Sequence, residues 1–185
     1  MLVKSKLALL NCNQQGGAVD PAPFRTDVSL HRNGTGRPTL RFERHYRHPK
    51  EQVWRALTEE AELAAWFPCA ARIDATPGGT ATFTFPGAPP QSGEVLAAEP
   101  PRSLDFTWHG ETLRWRLADA PGGCLLRLDI ENQDPAHAAQ SAAGYDLCLD
   151  QLATLLDAGS VRRVEMPPPR EIVQHYADAF SVPDA

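Results

Sequence analysis

The chain has 185 residues, 42% of them hydrophobic, and a formal net charge of −5. That length suits one domain with tails, the apolar share supports a real core and excludes a disordered chain, and the negative balance argues against a general nucleic-acid binder. No apolar run approaches membrane-spanning length and Leu7–Leu10 is too short for a secretory core, so a cytoplasmic chain without a membrane partner is expected.

Residues 1–25 carry no periodicity and are expected to be a loosely attached leader. Thr26–Arg32 has room for a short extra strand that turns through Asn33-Gly34. The leader is therefore taken as 1–38, and the domain proper as 39–159. Leu40, Phe42, Arg44 and Tyr46 share one strand face, with Arg41, Glu43 and His45 on the other. Arg44 is the anomaly, because an inward guanidinium needs a partner. A ligand carboxylate or phosphate would suit its fork, which makes Arg44 a candidate polar anchor. A strand bulge, or a protein partner, is the alternative.

Pro49 suits the first position of a helix, since its missing N–H costs nothing there. Val53, Trp54 and Leu57 continue it at helical spacing. Thr58 is placed to cap a second short helix that closes on Trp66-Phe67. Arg37, Arg41, Arg44, Arg47, Lys50 and Arg55 make this stretch locally basic against Glu43 and Glu51. Charge runs are usually a solvated face, but this one also offers a docking face for an acidic partner.

Strands dominate from 70 to 131. Ala81, Phe83 and Phe85 alternate with threonines. Gly93, Val95 and Ala97 form the next inner face, followed by Leu104, Phe106 and Trp108. His109-Gly110 reads as a hairpin turn, with Leu113, Trp115 and Leu117 beyond it. Pro121-Gly122-Gly123 turns into Cys124, Leu126, Leu128 and Ile130. His109 and Glu111 are placed at the mouth of any cavity, a position solvent would serve equally well. Asp105, Arg114, Arg116, Arg127 and Asp129 fall on the wet face, where cross-strand charge pairs explain them.

Asp134-Pro135 is expected to open a long helix, with Asp134 as cap. Tyr145, Leu149, Leu152 and Leu156 form its buried stripe, while Asp146, Asp150 and Asp157 point elsewhere. Gly144 inside it asks for a packing or functional reason, and Gly159 suits its end. Residues 160–185 follow as a proline-rich linker and a short helix, Glu171–Phe180, that docks back on the body.

One long helix against a meander with one apolar face predicts a cavity between them. Trp66, Phe67, Phe83, Phe85, Val95, Trp108, Trp115, Tyr145 and Leu149 are the candidate lining residues, and core filling is the competing reading for each aromatic. Cys12, Cys69, Cys124 and Cys148 lack metal or disulfide spacing, His45 and His48 fall on opposite strand faces, and no nucleophile elbow, phosphate loop or zinc motif occurs. No catalytic residue, metal or cofactor is assigned.

The strand Leu40–Tyr46 with His48-Pro49, the run Val53–Thr58, Trp66-Phe67, Gly93-Glu94-Val95, Pro100-Pro101-Arg102 and Gly144-Tyr145 together resemble the SRPBCC (START-like, helix-grip) superfamily, and within it the activator of heat-shock protein 90 ATPase homologue family. Relatives commonly carry tryptophan where this chain has Tyr145. The resemblance implies an α+β fold in which a curved antiparallel sheet wraps around a long C-terminal helix, with two short helices after the first strand. It implies a small hydrophobic or amphipathic ligand held between sheet and helix. A chaperone or other acidic protein partner is the alternative, and a cyclase- or hydrolase-like enzyme the second.

Overall fold

Strands that alternate apolar and polar side chains must pair along their edges and have one face covered. The computed structural model describes residues 3–4, 27–31, 37–161 and 167–181. Among these residues nine strands form one antiparallel sheet: β1 (Val3–Lys4), β2 (Asp27–His31), β3 (Thr39–Tyr46), β4 (Ala70–Ile73), β5 (Thr80–Thr84), β6 (Gln91–Glu99), β7 (Ser103–Trp108), β8 (Glu111–Ala120) and β9 (Gly123–Glu131). Their order is β1-β2-β3-β9-β8-β7-β6-β5-β4. The helices are α1 (Lys50–Thr58), α2 (Glu60–Trp66), α3 (Ala138–Ala158) and α4 (Arg170–Ser181). α1 and α2 carry the chain from β3, in the middle of the sheet, to the far edge at β4. From there a meander returns to β9 beside β3. This is the α+β helix-grip architecture, with a curved sheet and a long C-terminal helix.

The extra strand expected over Thr26–Arg32 is β2, which pairs with β3 through Val28↔Phe42 and Leu30↔Leu40. The Asn33-Gly34 turn, Cys12 and most of the expected leader lie outside the described residues, as does much of the linker before α4. α4 packs on α3 with Ile172 and Tyr176 buried.

Local chemistry moves several boundaries. Pro49 stands before α1 rather than inside it, its carbonyl accepting the N–H groups of Gln52 and Val53. Thr58 is the last residue of α1, its hydroxyl donating to the Trp54 carbonyl. Extended Glu59 closes α1 and opens α2. Asp134 does not cap α3. It forms its own turn, accepting the Ala136 N–H on its side chain and the His137 N–H on its carbonyl, so the helix starts at Ala138. The predicted turn and stop hold: His109 and Gly110 have φ of 54° and 80°, and Gly159 ends α3 at φ 70°.

On β6 the expected alternation breaks. Val95 pairs with Phe106 but Ala97 pairs with Asp105, so the strand bulges at Leu96. The inserted residue reverses the faces that follow. Ala98, not Ala97, packs on the core, and Leu96 is exposed. Gly93 serves close approach: a Cβ there would lie 1.7 Å from the Thr107 carbonyl oxygen.

α3 is fixed to β3 by polar groups as well as by its leucines. Buried Arg44 pairs with Asp146, with Asp150 at 3.8 Å. Asp146, expected to point away from the sheet, is turned inward by that charge. The Tyr46 hydroxyl donates to the Leu149 carbonyl at 3.1 Å. Arg44 Nε and Nη1 have no hydrogen-bond partner, so the carboxylate carries most of the compensation. Asp146→Ala is expected to cost about 3 kcal/mol by leaving a buried charge unpaired, while Arg44→Met with Asp146→Leu recovers most of the loss. Urea unfolding of the three proteins checks this, and a double variant no better than the single would locate the energy in packing instead of charge.

Candidate functional site

Where α3 begins, its side chains are small. Ala138, Ala142, Ala143 and Gly144 are buried there, whereas Leu149, Leu152 and Leu156 fill the other half of the helix. Of these four, Gly144 borders the open space at this end of the helix. A cleft of about 690 Å³ opens at this end. Pro68, after α2, and Phe85, after β5, form one side, and Trp108 and His109 of the β7–β8 hairpin lie against it. α3 contributes His137, Gln140, Ser141, Gly144, Tyr145 and Cys148, and Pro167-Pro168 ahead of α4 adds a further wall. Gly144 therefore has a position that accounts for it: it lines the cleft.

The nine aromatic and aliphatic candidates divide by depth. Phe85, Trp108 and Tyr145 line the cleft. The other six are not among its lining residues and lie in the core. Phe83 stacks on Trp108 with ring centroids 4.5 Å apart, and Phe67 reaches both rings. Trp66 meets Trp115 edge-on and donates its indole N–H to the Ala56 carbonyl. Val95 and Leu149 are fully buried. Arg44 is also absent from the lining, and its guanidinium is engaged by Asp146. Trp108 is the joint between the two groups, with its indole N–H on Gln91 Oε1 and its ring supported by Phe83.

Glu111 has more weight than a turn residue. It has the parity of Leu113, Trp115 and Leu117 and faces Trp108 across the hairpin, so it points to the inner side. That parity was the available signal, and the adjacent turn obscured it. Gln133, fully buried, donates to Glu111 Oε1 at 2.6 Å. Burial pushes the Glu111 carboxyl up to about 7, against the lowering effects of the Gln133 hydrogen bond and of His137. Burial, and then the Glu111 charge, hold the Tyr145 hydroxyl well above its ordinary value, so it stays neutral. On the outer face Asp105 accepts from Arg114 and Arg116, the wet-face pairing expected of that side. Among the described residues no group of His, Cys, Asp and Glu is placed to hold a metal ion, and no helix is long and apolar enough to cross a membrane.

A family model described as activator of Hsp90 ATPase homolog 1-like protein matches residues 47–157. Among solved structures, a conserved protein of unknown function from Enterococcus faecalis superposes with a TM-score of 0.68 at 20% identity, over 83% of this chain and 90% of that one. CalU16 from Micromonospora echinospora gives 0.64 at 24% identity, over 84% and 96%. A protein from Mesorhizobium loti gives 0.57 at 26% identity, over 66% and 99%. These likenesses concern the fold. No curated protein matches the chain.

The Glu111 carboxyl lies above its ordinary value in the folded protein. Its favourable contribution is therefore complete below about pH 4.5 and is lost as pH rises through about 7. Glu111→Gln removes that dependence. Relative to the wild type, the variant is expected to be more stable at pH 8 than at pH 5 by on the order of 1–2 kcal/mol. Urea unfolding of both proteins at the two pH values measures it, and a difference independent of pH would put the carboxyl in water.

Proposed function

The chain belongs to the activator of Hsp90 ATPase homolog 1-like family, within the SRPBCC superfamily, and we propose that it binds a small hydrophobic or amphipathic molecule in the cleft between the sheet and α3. The observation that carries this reading is the cleft itself: about 690 Å³, walled by Phe85, Trp108, Tyr145 and three prolines. That volume lies in the range of small-molecule sites, and apolar walls with few polar groups are their usual composition. Binding would come from burial of ligand surface against rings already held rigid by the core. Trp108 gains most from this, because Phe83 stacks on it from within the fold and Phe85, another wall of the cleft, lies parallel to it.

Docking of an acidic chaperone on the basic run has less support. Arg41, Arg44 and Lys50 are each engaged by an acidic side chain of the same chain, Asp129, Asp146 and Asp119 in turn. What stays available for a partner is a smaller charge than the sequence suggests.

Ser141 lines the cleft from α3 without belonging to the buried stripe of the helix. Ser141→Phe should therefore plug the site and spare the core. Titration with the neutral fluorophore N-phenyl-1-naphthylamine is expected to show saturable binding to the wild type and an affinity lower by about tenfold or more in the variant. Undiminished binding by a folded Ser141→Phe protein would remove the cleft as the site.

A further inference from the structure

One carboxyl, that of Glu111, lies beside the cleft without being among its lining residues. Glu111 stands directly opposite Trp108 in the β7–β8 pairing, so both side chains leave the same face of the sheet. Trp108, Tyr145 and His137 line the cleft, and Glu111 interacts electrostatically with the last two. Gln133 holds the carboxyl from behind. It is fully buried, spends its amide N–H on Glu111 Oε1 at 2.6 Å, and leaves its own Oε1 without a partner. A buried amide with one atom unsatisfied is costly, and here its one hydrogen bond fixes the Glu111 carboxyl.

Among the described residues no lysine or arginine lines the cleft, and the polar lining members are His109, His137, Gln140 and Ser141. The partial positive charge at the start of α3 is already met by Asp134, which accepts from the Ala136 N–H and contacts His137. A carboxylate ligand would meet Glu111 with no lysine or arginine of the described lining to offset it. An ammonium would meet the carboxylate and the ring faces of Trp108 and Tyr145.

We propose that Glu111, positioned by Gln133, is the polar anchor of the cleft and selects amphipathic ligands that carry a primary or secondary amine over those that carry a carboxylate. This rests on the cleft-binding reading above. The raised carboxyl fits it: an arriving ammonium favours the ionised form, and the displaced proton leaves to buffer. His109, His137, Tyr145 and Cys148 are the other titratable groups of the described lining, so the Glu111 variant is needed to isolate that proton.

Intrinsic tryptophan fluorescence reports titrations with decylamine, decanol and decanoate, each below its micellar concentration, at pH 7.5 and low salt. The wild type is expected to bind decylamine about tenfold or more tighter than decanoate, and Glu111→Gln to bring the two within about threefold. Calorimetry of decylamine binding in two buffers of different ionisation enthalpy is expected to show proton release in the wild type and its loss in the variant. Decanoate binding as tightly as decylamine to the wild type overturns the anchor whether or not the variant folds, and so does an unchanged ratio in a folded variant. If none of the three ligands binds, the cleft reading falls and takes the anchor with it. Decanol binding with no preference for the amine sinks the anchor alone.

Discussion

An α-helix with its side chains is about 10–12 Å across, whereas nine strands about 4.8 Å apart would span about 38 Å if laid flat. One 21-residue helix must cover the inner face of such a sheet. It can do so only if the sheet curls around it and other elements close the remaining width. α1 and α2 close part of it, and α2 delivers Trp66 and Phe67 into the gap. α4 lies against α3. The cleft opens at the end where α3 begins, with Gly144 the one small buried residue of that half in its lining.

That constraint explains where polar groups are tolerated inside. A helix laid across a curved sheet by apolar contact alone could slide along it, since hydrophobic contact has no direction. Arg44–Asp146 and the Tyr46–Leu149 hydrogen bond have direction, and on α3 each directly follows a lining residue of the cleft, Tyr145 and Cys148 in turn. They fix the height and rotation of Tyr145, one residue from Asp146. Buried ion pairs add little net stability, but a single register for the covering helix is a use they serve well. Glu111 and Gln133 are the other inward polar pair, and they sit at the opposite, open end. One pair holds the roof and the other lies beside the cleft at the hairpin.

Much of the fold was legible because it depends on parity and punctuation. Leu40, Phe42 and Tyr46, or Leu113, Trp115 and Leu117, can only share a face. His109-Gly110 and Gly159 carry their turn chemistry in two letters or one. Three things were less legible, each for a physical reason. The bulge at Leu96 adds a residue without changing composition, so counting by twos failed after it. Asp134 satisfied a local turn before the helix could use it. The partner of Arg44 lies 102 residues along the chain, and nothing local identifies Asp146 as inward. The candidate site was half legible. Its three ring walls were on the residue roll, but depth separates Phe85, Trp108 and Tyr145 from the six behind them, and parity does not encode depth.

The hairpin at His109 gives the cleft two walls of unequal freedom. On one side His109 holds a left-handed turn and Trp108 anchors a stack of core rings, so any change there is felt as strand pairing and core packing. On the other side Gln140 and Ser141 project from a helix whose burial is secured by other residues. Variation is cheap on the helix and expensive on the hairpin. Substitutions in that single turn of α3 can therefore reshape the cleft while the platform beneath it stays unchanged.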